Sequence, residues 1–398
     1  MTPRPLHAVL LPAAAGAGRL MEALGAALDG TGPALLPVDP RLPAARVAAL
    51  LQALRPATLE TLDGPQRLDP GDSPGVAPGT AVVIATSGST GEPKGVELGA
   101  AALSHSARAS LDRIGARPGE AWLSCLPPSH ISGLQVFLRS LVSGTAPVVL
   151  DQLDPPGAAR GAGGYVSLVP TQVRHLLDQP GGREALAGFR AILLGGAAVP
   201  AGLRAEAAAA GARVITTYGM SETCGGCVYD GEPLDGVSVR IGADRRIQLA
   251  GPVLFSGYRG QPGLTAAALD GGWFVTSDVG EVDAWGRLTV RGRADGMINT
   301  GGEKVSADEV ASVLEDCPQV REAVVVGRPD PEWGELVTAI VVPADPAAPP
   351  GLDALRAFAR GRLPGYAAPR AVVVVPAMPL LSSGKPDLQA LRLLARPD

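Results

Sequence analysis

The chain has 398 residues, 46% hydrophobic and 18% charged, enough apolar material for two or three domains and too much for a disordered chain. A net charge of −5 without a clustered basic stripe leaves no electrostatic footprint for nucleic acid, and four cysteines in a chain this long do not make a disulfide framework. No uninterrupted apolar segment reaches the roughly 20 residues that span a bilayer, so the expectation is a cytoplasmic, enzyme-sized protein without membrane insertion.

The N-terminal stretch MTPRPLHAVLLPAAAGAGRLMEALG begins with an apolar run that Arg19 and Glu22 interrupt. Leu20, Leu24, Ala27 and Leu28 then fall on one face, which indicates an amphipathic helix rather than a secretory signal. From Leu35 to about Val290, short apolar runs at 81–85, 146–150, 165–169, 191–196 and 213–219 alternate with alanine-rich helical patterns. Unbroken strands separated by helices predict a parallel sheet covered on both faces. Between Val237 and Val290 the pattern becomes strand, turn, strand, which predicts an antiparallel region. After a boundary at 291–296, Ser306 and Glu309 form a capping box opening a helix that carries Val310, Val313 and Leu314. Strands at 323–327, 337–342 and 371–375, a helix near Leu352–Arg362 and a last helix from Asp387 complete an α+β unit. The fold class is therefore α/β. A large N-terminal domain, residues 1–293, has mostly parallel sheets covered by helices plus an antiparallel region; a small mobile C-terminal α+β domain spans residues 294–398.

One loop lies at the centre of the functional reading. TSGSTGEPKG places Thr86, Ser87, Gly88, Ser89, Thr90, Gly91 and Lys94 between two apolar runs. Glycines allow close backbone approach, hydroxyls donate hydrogen bonds and the lysine supplies a point charge, a combination suited to a triphosphate. A Walker-type loop needs G-x-x-x-x-G-K-[ST], and Lys94 here follows Pro93 and precedes Gly95. Pro93 also biases Glu92 away from helix, so GVEL is expected to continue as a second strand.

This loop resembles the phosphate loop of the adenylate-forming superfamily, which includes acyl-CoA synthetases, carrier-loading adenylation domains and luciferases. Further stretches occur in that family's order: LLGGAAVP (193–200), TYGMSET (217–223), TSD (276–278) with GRADGMINTGG (292–302), and LSSGKPD (381–387). The resemblance covers nearly everything from Ala81 onward. It implies attack of a small-molecule carboxylate on the α-phosphorus of ATP, with Mg²⁺, followed by transfer to the thiol of CoA. The residues it implies for ATP and AMP are the loop residues above with Gly195, Gly196, Ala197, Thr217, Tyr218, Gly219, Met220, Ser221, Asp278, Arg293 and Lys385. Within that set, Tyr218 offers a face for adenine, Asp278 accepts from the ribose hydroxyls and Glu222 binds the metal. Lys385 is the expected catalytic ammonium and Asp295 the hinge. Ser277 stands where glycine is usual, Ser221 where threonine is usual and Pro386 where a β-branched residue is usual.

His130, in PPSHISGLQVFLRSL, matches the family's Pro-Pro-x-His loop and is expected to close the acyl pocket and order the nucleophile. Gly196, Gly225 and Gly226 give room beside the acyl group. Cys224-x-x-Cys227 has no second ligand pair at zinc spacing and no thioredoxin-like context. Two stretches, 127–144 and 217–237, resemble the branch that activates o-succinylbenzoate in menaquinone biosynthesis, whose aromatic ring carries a second carboxylate. Ser129, Ser167, Thr171, Gln172 and Arg139 are candidate donors to it. Another aryl or medium-chain acid, or a carrier-protein thiol in place of CoA, stays open at this point, as does a homo-oligomer.

Overall fold

In the computed structural model, residues 4–68, 73–87, 93–381 and 384–396 are described. Four sheets organise the chain. The first joins the expected hairpin, Thr80–Ser87 with Pro93–Gly99, to strands from the N-terminal segment: Leu6–Val9, Ala34–Pro37, Thr58–Thr61 and Gly64–Arg67. Strands Thr80–Ser87, Ala34–Pro37, Leu6–Val9 and Thr58–Thr61 run parallel in that spatial order, so the short segment before the loop builds and closes the sheet edge. Helix Ala13–Asp29 buries Leu20, Leu24 and Ala27, and stops where Gly30 turns left-handed at φ 77°.

The second sheet carries the parallel strands Val148–Val149, Trp122–Ser124, Tyr165–Leu168, Ala191–Gly195 and Val214–Met220, then turns antiparallel at Gly225–Tyr229. The mostly parallel sheets expected for the large domain are thus two separate sheets. Helices Ala100–Ile114 and Ile131–Ser143 pack against each other and touch both sheets, which is why their buried faces are broad. Leu103, Leu134, Phe137 and Leu138 meet Leu35, Val82, Ile84, Val96 and Leu98 in a core from which water is excluded. An antiparallel sheet follows, formed by Ser238–Ile241, Arg246–Ala250, Trp273–Val282 and Leu288–Arg293, with the short strand Leu269–Asp270 at its edge.

A 3₁₀ turn at Ala294–Gly296 then leads into the last sheet. Its strands, Met297–Thr300, Glu303–Ser306, Val320–Asp330, Gly334–Pro343 and Ala371–Val374, pack on helices Ala307–Glu315 and Leu352–Arg360 around Ile298, Val310, Leu314, Val337, Val341 and Leu355. Ser306 Oγ accepts the Glu309 N–H at 3.3 Å, the expected cap, while Val313 lies at the margin of the buried face. Among the described residues no helix is long and apolar enough to cross a membrane.

At the rim of this last core, burial raises the Glu315 carboxyl to about 7, with Glu322 adding repulsion and the Ala323 N–H opposing it. A carboxyl raised in the folded state costs stability as pH rises from its unfolded value to its folded one. Glu315→Gln is therefore expected to raise Tm at pH 8, and the gain to shrink as pH falls toward 5, in thermal scans across that range.

Candidate active site

The hairpin sets the first edge of the site. Its strands pair with Thr86 opposite Lys94, and the tip residues Gly88, Ser89, Thr90 and Gly91 lie outside the described residues, as does the Ser87 side chain. Thr86 Oγ1 is buried at the base and has no hydrogen-bond partner among the described residues, which leaves its hydroxyl to donate to a ligand oxygen. Lys94 Nζ stands 5.1 Å from the centroid of the Tyr258 ring, and the Tyr258 hydroxyl donates to Glu222 Oε1 at 2.8 Å. Glu222 sits in the 3₁₀ turn Ser221–Thr223, where Thr223 Oγ1 accepts the Met220 N–H. Among the described residues, Glu222 Oε2 makes no hydrogen bond.

A magnesium ion fits this donor set. It takes one or two carboxylates and completes its shell with water and phosphate oxygens, and Glu222 supplies one carboxylate beside the hairpin. Among the described residues no group of three or more His, Cys, Asp or Glu could hold a metal unaided, so phosphate would have to complete the shell.

The opposite edge collects Tyr218, Asp278, Arg293 and Lys385. The Tyr218 hydroxyl donates to Asp278 Oδ2 at 2.8 Å, which ties its ring to the expected ribose acceptor. Asp278 pairs with Arg293 across adjacent strands, with Arg293 Nη1 at 3.6 Å from Oδ1. Thr276 Oγ1 accepts the Asp278 N–H and fixes the approach of that strand. Lys385 arrives from the C-terminal unit. Its Cε is 3.3 Å and its Nζ 4.0 Å from where a Cβ on Gly196 would stand. Gly196 has φ +82°, so any larger residue would be strained there and would push the lysine out. Gly195 is equally constrained, since an added Cβ would lie 2.7 Å from the Thr217 carbonyl. Ala197 is exposed beside them.

Lys385 keeps part of its surface in solvent, yet protein around its ammonium lowers its pKa; Arg293 lowers it further and Asp278 opposes both. His130, the N-cap of helix Ile131–Ser143, is also held below its ordinary value, first by burial, then by Lys385 and Arg41, against the attraction of Asp39. Lys385 and His130 thus share one cleft. Pro386 does not disturb the loop: the Lys385 carbonyl accepts the Leu381 N–H at 2.7 Å, and Gly384 takes φ +77°. The structure describes the backbone of Asp295 in the 3₁₀ turn but not its side chain.

The residues expected on the acyl side gather along helix Ile131–Ser143. Gln135 Nε2 donates to the Cys224 carbonyl at 2.6 Å, and an added Cβ on Gly225 would lie 3.2 Å from Gln135 Cγ. Gly226 lies next, against Tyr229 and Thr217. Gly219 permits the turn, since a Cβ there would lie 2.1 Å from the Gly225 carbonyl. One turn beyond Gln135, Arg139 is buried with its guanidinium 4.5 Å from the Trp122 ring centroid and Nη1 donating to Ser167 Oγ at 3.1 Å. Its Nε has no partner, nor has the buried Ser129 hydroxyl, and Arg139 forms no ion pair among the described residues.

Two expected acid contacts are engaged elsewhere. Thr171 Oγ1 donates to the Gly384 carbonyl at 3.0 Å and so holds the lysine loop; its position at the start of helix Pro170–Leu177 aims it there. Gln172 Oε1 accepts the Val169 N–H at 3.1 Å. Cys224 and Cys227 are buried free thiols, both raised by desolvation. Tyr258, Gln135 and the Asp39–Arg41 pair escaped the sequence reading. Only GYRGQP (257–262) offered a signal for the first, and none marked the others as neighbours of the cleft.

Residues 66–254 match the AMP-binding enzyme family and residues 309–385 match the AMP-binding enzyme C-terminal domain. The chain belongs to this family of enzymes. It is 41% identical over 397 residues to a probable 2-succinylbenzoate–CoA ligase of Mycobacterium tuberculosis, covering 97% of each chain. It is 32% identical to an indoleacetate–CoA ligase of Aromatoleum aromaticum, covering 89% of this chain and 77% of the other. Among solved structures it superposes on the o-succinylbenzoate CoA synthetase of Bacillus subtilis in complex with the acyl-adenylate intermediate OSB-AMP. The TM-score is 0.81 at 25% identity, over 98% of this chain and 89% of that one. The same Bacillus enzyme in complex with ATP and magnesium ion matches with a TM-score of 0.79 at 25% identity, over 96% and 88%.

The charges around Lys385 give a direct measurement. After ¹³C-methylation, its NMR titration is expected to fall below the ordinary lysine value of 10.5. Arg293→Ala should move it up and Asp278→Asn further down; no response to either would remove both groups from its surroundings.

Proposed function

We propose that the chain is an ATP-dependent acid–CoA ligase that converts 2-succinylbenzoate to its CoA thioester through an acyl-adenylate, in menaquinone biosynthesis. Family membership, the relatives named above and the Bacillus complex with an acyl-adenylate support the chemistry. The observation that carries the choice of acid is Arg139. A buried guanidinium without an anion is costly; Nη1 of Arg139 holds Ser167 Oγ, its Nε has no partner among the described residues, and the residue lies one helical turn from Gln135. A ring carboxylate within reach of that guanidinium would complete its hydrogen bonds, with the succinyl arm directed toward Lys385.

In the first half-reaction the succinyl carboxylate attacks the α-phosphorus of ATP and pyrophosphate leaves. The nucleotide is held by Thr86, Lys94, the Gly195-Gly196-Ala197 turn, Tyr218 and Asp278, and Lys385 neutralises charge developing between the two anions. Bound Mg²⁺ supplies further charge neutralisation on the phosphates, with Glu222 as its protein ligand. In the second half-reaction the CoA thiol displaces AMP. Residues 294–398 act as a lid that turns about Asp295, withdrawing Lys385 and presenting the 299–304 turn, while His130 closes the acyl pocket. ATP and CoA place the reaction in the cytoplasm.

Lys385→Ala is expected to slow adenylate formation by about two orders of magnitude or more, with the Kd for ATP changed less than about threefold, because the ammonium acts mainly in the transition state. Equal losses in both would contradict that role. Arg139→Met should cost about 10- to 100-fold in kcat/KM for 2-succinylbenzoate, the scale of a lost charged hydrogen bond. It should cost little for 4-oxo-4-phenylbutanoate, which lacks the ring carboxylate. Retained discrimination in a pyrophosphate-release assay would sink the assignment of the acid.

A further inference from the structure

Tyr258 occupies a two-residue strand, Gly257–Tyr258, that pairs antiparallel with the outgoing strand of the phosphate hairpin. Its N–H donates to Thr265 Oγ1 at 2.9 Å, and that hydroxyl in turn donates to the Gln261 carbonyl at 3.0 Å. Its ring packs edge-on against Phe255, with centroids 4.9 Å apart, and the Phe255 N–H donates to the Glu222 carbonyl at 2.8 Å. The ring is therefore fixed both to the hairpin and to the turn that carries Glu222.

Two charged groups meet this one buried side chain. The hydroxyl holds Glu222 Oε1, and the ring carries the Lys94 ammonium at 5.1 Å, within the range of a cation–π contact. An ammonium and a carboxylate that share a neighbour in a partly dry site attract strongly, yet among the described residues Lys94 and Glu222 form no ion pair. A direct pair would use up the carboxylate and the cation together.

We propose that Tyr258 is a positioning residue: it holds the Glu222 carboxylate by one oxygen and Lys94 on its ring, so that the second oxygen is kept for a divalent cation and the ammonium for the triphosphate. The proposal rests on the metal role of Glu222 given above. Tyr258→Phe keeps the ring, its packing and the cation–π contact, and removes only the hydroxyl.

Calorimetric titration of ATP with and without Mg²⁺, on wild type, Tyr258→Phe, Glu222→Gln and the double variant, tests it. The expected result is a 3- to 30-fold weakening of Mg·ATP binding in Tyr258→Phe, with metal-free ATP binding unchanged. In the Glu222→Gln background the same change should cost less than about twofold. A clear Mg²⁺ effect of Glu222→Gln with none of Tyr258→Phe would overturn the positioning role alone. Equal weakening with and without metal in Tyr258→Phe would do the same, since it marks a packing role. If Glu222→Gln leaves the Mg²⁺ dependence untouched, the metal role itself falls and takes this proposal with it.

Discussion

A carboxylate and a triphosphate repel one another, and any site that joins them must place cations between them without letting those cations be neutralised first. In the mechanism proposed above one such cation is Lys385, which belongs to a unit with its own sheet and core. Thr171 holds the Gly384 carbonyl at 3.0 Å, the Gly202 N–H meets Asp316 Oδ1 at 3.2 Å, and Arg321 pairs with Asp178. Exposed polar contacts of this kind contribute at most about 1 kcal/mol each. Contacts this weak are what the proposed lid movement requires.

The interior of the acyl cleft shows the opposite economy. Arg139 is buried, stacked on Trp122 and bonded through Nη1 to one serine, and its Nε has no partner among the described residues. Folding alone would favour an apolar residue there, because an uncompensated buried cation costs several kcal/mol. The unsatisfied Ser129 hydroxyl and Gln135 Oε1 lie on the same helix and the loop that feeds it. A ligand acceptor would serve the Arg139 N–H and the Ser129 hydroxyl, whereas Gln135 Oε1 calls for a donor.

Much of this was legible in the sequence because it is local. The hairpin follows from Pro93 and the apolar runs on either side and the helix Ala307–Glu315 from its Ser306 cap, while Asp278 and Arg293 are marked for one nucleotide site by the family resemblance and not by the strand pattern. What escaped is relational. Apolar runs do not reveal that Thr80–Ser87 pairs with Ala34–Pro37 instead of joining the strands that follow it, since both sheets use the same continuous pattern. Thr171 reads as a pocket donor until the lysine loop, 213 residues away, is seen to take its hydroxyl. Tyr258 reads as a packed aromatic, and only the meeting of a hairpin strand with the Glu222 turn gives its hydroxyl a role.

In the proposed mechanism the arrangement with Lys385 beside Gly196 is the one that makes the adenylate. Cysteines introduced at Gly202 and Asp316, bridged by a short reversible cross-linker, would hold the two units as they stand here. The bridged enzyme is expected to release pyrophosphate and accumulate acyl-adenylate at close to the uncross-linked rate, and to form thioester only after the bridge is reduced. A bridged enzyme that cannot make adenylate, or that forms thioester at the normal rate while bridged, would contradict it.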